Sequence, residues 1–369
     1  MVDLKNKIIP GYINDLEPYV PGKIIEDVIK ELKLKKAVKL ASNENNLGPS
    51  PLALEAVQKA LGSLNRYADA DARNLKKALS QKTGQPIEGI MTLNGSSEFI
   101  YIICHTLIGP GLKAIMSRPS FTLYAKNSQA TGAQILEIPL TKSFGHDLNR
   151  ILDCADETVR LIFLDNPLNP TGAYLSPEEL YEFLNRLPIT TILVLDEAYI
   201  DFCRAPRPDY SRLMADNRVV ILRTFSKIFG LAGLRCGYAM LDPILAEALN
   251  KVRQPFNLNS LSQLAVLAAL NDEEHIKRTL KMSWDSIDFF NQLFPRFNMT
   301  VSPTQANFVM VEGRDDYPAE KMVSALLKQG VIIRSLDSFG LPSQARITAG
   351  PPEELNFLQE ALEKVLVGL

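Results

Sequence analysis

Lys227 lies in the run Thr224, Phe225, Ser226, Lys227, Ile228, Phe229, Gly230, Leu231, Ala232, Gly233, Leu234, Arg235, Cys236, Gly237, directly after the apolar stretch Val219–Leu222. An amine condenses with an aldehyde, while hydroxyls and a guanidinium hold a phosphate. Lys227 supplies the amine, Thr224 and Ser226 the hydroxyls, and Arg235, eight residues on, the guanidinium. The set suits a cofactor that carries both an aldehyde and a phosphate, which is pyridoxal 5'-phosphate. A lysine alone would suit a helix start at the surface. Its companions give it meaning, because all of them serve one ligand.

Four further strand candidates carry reactive side chains beyond their carboxyl ends, where open α/β sheets bind ligands. Thr191–Leu195 runs into Asp196, Glu197, Ala198 and Tyr199. A carboxylate there can keep a pyridine nitrogen protonated, and Tyr199 can donate to the phenolic oxygen of the same ring. Leu161–Leu164 runs into Asp165, Asn166, Pro167, Leu168, Asn169, Pro170, Thr171 and Gly172, a stiff turn offering Asn169 as second donor to that oxygen. Gly89–Leu93 leads through Asn94 to Gly95, Ser96 and Ser97 at a helix start, where backbone N–H groups and hydroxyls form an anion site. Lys113–Ser117 is followed by Pro119, Ser120 and Phe121. Taken singly, Asp196 also suits a helix N-cap, the proline turn suits any loop, and Phe121 suits a core.

Together these motifs resemble those of fold-type-I pyridoxal-phosphate aminotransferases, most closely the histidinol-phosphate aminotransferase family. Leu16–Lys23 resembles that family's LxPYxPGK arm, Leu40–Asn45 its SNEN segment, and Asn65–Asp69 its NRYPD segment. The resemblance implies an α/β fold. A large domain (residues 41–250) would carry a mostly parallel seven-stranded sheet between helices, and residues 1–40 with 251–369 would form a smaller α+β domain. It implies that Lys227, Asp196 and Tyr199 are catalytic. Gly95, Ser96, Ser97, Thr224, Ser226, Arg235 and Tyr67 would anchor the phosphate, and Phe121 would stack on the pyridine face. Tyr19, Asn43, Arg334 and Arg346 would orient substrate, with Glu44 nearby, because guanidinium forks suit carboxylate and phosphate alike. In this family the tyrosine matching Tyr67 reaches across an interface, which implies a homodimer with shared sites.

The reaction so implied is reversible transfer of an amino group from glutamate to imidazole acetol phosphate, giving 2-oxoglutarate and histidinol phosphate, in histidine biosynthesis. An aromatic amino acid aminotransferase and a threonine-phosphate decarboxylase-like enzyme on the same fold stay open. The chain departs from the family pattern at Asn46, Ala68, Ser97, Leu168 and Pro351. None of these removes a side chain assigned to the cofactor, but several border the substrate side.

The elements that must position these residues are visible in the same 369 residues, 46% hydrophobic and 22% charged, which suit about two domains with cores of their own. Strand candidates are Gly89–Leu93, Lys113–Ser117, Gln134–Pro139, Leu161–Leu164, Thr191–Leu195, Val219–Leu222 and Gly237–Met240. Helical stretches separate most of them. One is Pro177–Leu187, with Ser176 as N-cap, Pro177 at N1, and Glu178 and Glu179 in the first turn. Near-continuous apolar strands alternating with helices predict a mostly parallel sheet covered on both faces. Beyond Leu241 come two helical spans, Ser260–Leu270 and Asp272–Leu293. Short strand candidates follow at Asn307–Val311, Val331–Arg334 and Ala345–Thr348, and then a helix opened by Pro351 and Pro352.

A formal charge of -2 gives no reason to expect nucleic acid or an anionic membrane as partner. Cys104, Cys154, Cys203 and Cys236 are scattered, with no CxxC pair or histidine cluster, so neither disulfides nor a metal site is expected. Met1–Pro10 lacks an apolar signal core, and no apolar run approaches the roughly 20 residues that span a bilayer. A cytoplasmic protein is therefore expected.

Overall fold

The computed structural model describes residues 4–18 and 24–366. After a short strand β1 (Val38–Lys39), seven strands build the large sheet: β2 (Ile90–Leu93), β3 (Lys113–Arg118), β4 (Gln134–Pro139), β5 (Val159–Asp165), β6 (Ile192–Asp196), β7 (Val219–Thr224) and β8 (Gly237–Met240). Their order is β2-β8-β7-β6-β5-β3-β4. Pairing is parallel from β7 to β4, whereas β8 runs antiparallel to both β2 and β7. The sheet is thus mostly parallel, seven-stranded and flanked by helices, as expected. Its central strands are apolar on both faces because each face has its own core. Ile162, Leu164, Leu193 and Leu195 enter one core, while Leu161, Phe163, Val194 and Val220 enter the other. Each such side chain, fully buried, stabilises the fold by about 1.5–3 kcal/mol.

The helix expected from Pro177 forms over Pro177–Arg186, and a capping box holds its start. Glu179 N–H donates to Ser176 Oγ at 3.3 Å, and Ser176 N–H donates to Glu179 Oε2 at 2.7 Å. It ends one residue earlier than expected because Leu187 is already extended ahead of Pro188.

The second sheet contains β9 (Thr300–Val301), β10 (Phe308–Glu312), β12 (Arg334–Ser335) and β13 (Gln344–Thr348) in the order β12-β13-β10-β9, all antiparallel. β11 (Val331–Ile332) lies outside it, paired in parallel with β1. The single strand expected over Val331–Arg334 is therefore two strands with different partners, which part at the buried Ile333. Val38 and Leu40 join Phe290, Val309 and Ile347 in the core of this unit.

The helix Ser260–Ala269 buries Ala265, Val266 and Ala269 in the core of the large sheet. Among the described residues no helix is long and apolar enough to cross a membrane.

Candidate active site

A cavity of about 350 Å³ opens beyond the carboxyl ends of β5, β6 and β7. Strand alternation decides which side chains reach it. At the end of β6, Asp196 lines the cavity, while its neighbour Glu197 turns away to a buried ion pair with Arg223, 2.7 Å from Nη2.

Lys227 is delivered by a turn closing β7, in which Ser226 N–H donates to Thr224 Oγ1 at 3.1 Å. Its Nζ donates to the Ser42 carbonyl at 3.4 Å and stands 5.6 Å from the centre of the Tyr199 ring. Burial, with Arg346 adding to it, lowers the Lys227 ammonium pKa from 10.5 to about 8. Only the neutral amine is nucleophilic, so below about pH 8 the group is mostly silent and above it mostly reactive. In the cofactor-free protein, acylation of Lys227 is expected to reach half its maximal rate near pH 8, as followed by peptide mapping. A midpoint above pH 10, the behaviour of an ordinary lysine, would contradict this environment.

Asp196 is held at both oxygens. Tyr124 OH donates to Oδ2 at 2.8 Å, and Ala198 N–H donates to Oδ1 at 3.1 Å. Burial raises its pKa to about 6 against the pull of these two bonds, so it is mostly ionised at neutral pH. Tyr124 is the partner that sequence reasoning missed. It is fully buried, stacks on Phe163 at 4.9 Å, and meets Phe121 edge-on at 5.5 Å. The available signal was its spacing, three residues after Phe121, whose carbonyl accepts the Tyr124 N–H at 3.1 Å in the turn that opens the helix. Asp165, the cross-strand neighbour of Asp196, also lines the cavity and accepts the Asn169 N–H at 2.8 Å. Burial pushes its carboxyl well above the usual range.

At the other end of the cavity the helix Ser96–Leu107 begins at Gly95, which has φ +77° and no side chain to cap the first N–H groups. A Cβ on Gly95 would lie 2.6 Å from Arg235 Nη2, so only glycine lets the guanidinium sit over the helix start. Arg235 Nη1 reaches the Ala232 carbonyl at 3.1 Å and Ser226 Oγ at 3.5 Å. Ser96, Ser97, Thr224 and Ser226 line the same end. A helix N-terminus, four hydroxyls and a guanidinium form a cradle for a phosphate-sized anion. With an amine of lowered basicity at one side and a carboxylate at the other, this donor set fits pyridoxal 5'-phosphate.

A second cavity of about 440 Å³ is contiguous with the first and shares Ser42, Phe121, Asn169, Tyr199 and Lys227 with it. It adds Asn43, Arg334 and Arg346. Asn43 Nδ2 donates to Tyr199 OH at 3.0 Å, and its own Oδ1 accepts from Thr348 Oγ1 at 3.0 Å. Arg346 donates through Nη2 to the Ala41 carbonyl at 2.8 Å and through Nη1 to Asn169 Oδ1. That bond occupies the amide oxygen of Asn169 and leaves Nδ2 as the donor toward the first cavity. Arg334 is the cross-strand partner of Arg346 and packs over the Phe339 ring at 5.8 Å. A larger cavity of about 660 Å³ lies beside these but has neither Lys227 nor Asp196, and its Arg118 is paired with Glu137.

One expected residue is not brought to this site. Tyr67 is 84% exposed, stacks on Phe256 with ring centres 4.7 Å apart, and lines neither cavity. Tyr19 lies outside the described residues. Glu44 lines the first cavity and pairs with Lys39 at 3.0 Å.

The family model for aminotransferase class I and II matches residues 35–362, from just before β1 into the last helix, and the chain belongs to that family. Its relatives place it more narrowly. It is 40% identical over 362 residues, 97% of this chain and 96% of the relative, to histidinol-phosphate aminotransferase 2 of Pseudomonas fluorescens. It is 41% identical over 356 residues, 96% of this chain and 95% of the relative, to histidinol-phosphate aminotransferase 1 of Nitrosococcus oceani. The crystal structure of histidinol-phosphate aminotransferase from Sinorhizobium meliloti, in complex with pyridoxal-5'-phosphate, matches with a TM-score of 0.91 at 29% identity, covering 98% of each chain. Within the class, then, the chain falls among the histidinol-phosphate aminotransferases.

Proposed function

We propose that this protein is a pyridoxal-phosphate-dependent transaminase that interconverts histidinol phosphate and imidazole acetol phosphate, with 2-oxoglutarate and glutamate as the other pair, in histidine biosynthesis. The observation that carries this reading is the juxtaposition of Lys227 with two cavities, one ending in an anion cradle and the other in the pair Arg334 and Arg346. When bound, the cofactor supplies an aldehyde and a ring that accepts electrons from the substrate Cα. Lys227 Nζ takes the Cα proton and returns it, a role that its lowered basicity suits near neutral pH. Asp196, itself oriented by Tyr124, would hold a proton at the ring nitrogen. Asn169 Nδ2 and Tyr199 OH would donate to the phenolic oxygen. Gly95, Ser96, Ser97, Thr224, Ser226 and Arg235 would hold the phosphate, and Phe121 would cover the ring. Arg346, with Arg334 and Asn43, orients the anionic end of the substrate.

Tyr67 serves the neighbouring site of a homodimer. Its exposure supports this, as does its stacking partner Phe256, itself 44% exposed. The large unit is best drawn from residue 41 to the end of the Ser260–Ala269 helix, the remainder forming the smaller one, and the protein works in the cytoplasm.

A panel of acceptors assayed with glutamate tests the reading. Imidazole acetol phosphate is expected to be turned over in preference to phenylpyruvate, and glutamate alone is expected to release one 2-oxoglutarate per subunit. Preference for phenylpyruvate would reassign the enzyme to aromatic substrates. Carbon dioxide release from threonine phosphate without 2-oxoglutarate formation would make it a decarboxylase.

A further inference from the structure

We infer that Lys126 joins Arg334 and Arg346 as a third substrate-binding cation, and that it distinguishes a phosphate monoester from a carboxylate at the arginine pair. This inference rests on the transaminase reading above and concerns its phosphorylated substrate.

Lys126 lies on the helix Leu123–Gln129 and lines the same 440 Å³ cavity as Arg334 and Arg346. Its Nζ donates to a neutral partner, the backbone carbonyl of Glu17 on the N-terminal arm. Arg118, the nearby cation on β3, differs in being paired with Glu137 at 2.9 Å. Glu17 is the only carboxylate in that cavity's lining among the described residues, set against Lys126, Arg334 and Arg346, with Lys227 reserved for the cofactor. The excess of positive charge fits a ligand carrying about two negative charges.

The two substrates ask different things of this cavity. A glutamate carboxylate presents two oxygens on a carbon bonded directly to Cα, which one guanidinium fork satisfies. In histidinol phosphate the phosphorus stands two bonds farther from Cα and carries three terminal oxygens. Arg346 is fixed in place by the Asn169 side chain and the Ala41 carbonyl, so it does not follow the larger group outward. Lys126 lines the same cavity and is held there by the carbonyl of Glu17 on the arm. A lysine is a flexible point charge with three donors, and exchanging one carbonyl bond for a phosphate oxygen needs only side-chain rotation. Arg346 and Arg334 therefore serve both half-reactions, and Lys126 serves one.

The test compares Lys126→Met and Lys126→Arg with the wild-type holoenzyme. Lys126→Met is expected to raise KM for histidinol phosphate about tenfold, the effect of one partly exposed charge-assisted bond, while KM for glutamate stays within about twofold. Lys126→Arg, which keeps the charge, is expected to recover most of the loss. Inorganic phosphate, used as a competitive inhibitor against glutamate, is expected to bind Lys126→Met about tenfold more weakly. Equal rises in both KM values would show that Lys126 only tethers the arm, and no rise in either would remove it from the site. The phosphate arm separates the two readings. If the wild type prefers an unphosphorylated acceptor, the substrate assignment falls, and weakened phosphate inhibition in Lys126→Met would still support the third cation. Unchanged inhibition would overturn it.

Discussion

Lys227→Ala is expected to lower kcat for glutamate-dependent transamination by about 10⁴-fold or more, because it removes the nucleophile and the Cα proton carrier together. The fold is not expected to suffer. The bond from Lys227 Nζ to Ser42 is long, at 3.4 Å, and the ammonium is disfavoured by burial. The variant should therefore show a wild-type circular dichroism spectrum and a similar Tm without cofactor. Single-turnover release of 2-oxoglutarate is the measurement that decides, and a variant that keeps normal turnover would sink the assignment of Lys227.

Asp196→Ala has the second largest expected effect, a fall in kcat of about 10²- to 10³-fold, the usual cost of losing one preorganised electrostatic partner in a closed site. Cofactor should still be retained, since the anion cradle at Gly95 and Arg235 is untouched. The companion variant Tyr124→Phe separates orientation from charge. It leaves the carboxylate in place with its Ala198 bond and removes only the 2.8 Å bond at Oδ2, so a loss of about tenfold or less is expected. Parallel kcat measurements on both variants, with cofactor content quantified by release in alkali, give the comparison. An unchanged rate in Asp196→Ala would take the residue out of the mechanism.

What could be read in advance follows from where the information sits. The central strands were legible because burial on both faces forces long apolar runs, as in Val219–Leu222. The antiparallel sense of β8 was not, because an apolar run carries no direction. β1 and β9 escaped because two residues cannot show a period. The helix Ser260–Ala269 was visible as a helix, but its Leu- and Ala-rich composition does not say which core receives it. In the site, Lys227, Asp196, Asn169 and Tyr199 were legible because each stands at a strand end in a motif with distinctive neighbours. Tyr124 looks like any core aromatic until its hydroxyl is seen to have a carboxylate to serve. The carbonyls of Ser42 and Ala41, which receive Lys227 and Arg346, had no signal at all, since every residue has a carbonyl.

Those carbonyls belong to the strip from Val38 to Asn43, which has a bearing on the order of folding. Asn43 N–H donates to Thr348 Oγ1 at 2.9 Å across a separation of 305 residues, and Arg346 reaches Ala41 across the same distance in sequence. A chain growing from its N-terminus has made the strip, the lysine and the anion cradle well before β13 exists. Until that strand emerges, Asn43 has no Thr348 to position it, and Lys227 has no Arg346 beside it. Closing so long a loop is entropically late. The reactive amine thus acquires its full surroundings only after β13 has been made, so a chain stalled before that strand carries the lysine without the Arg346 that adds to its lowered basicity.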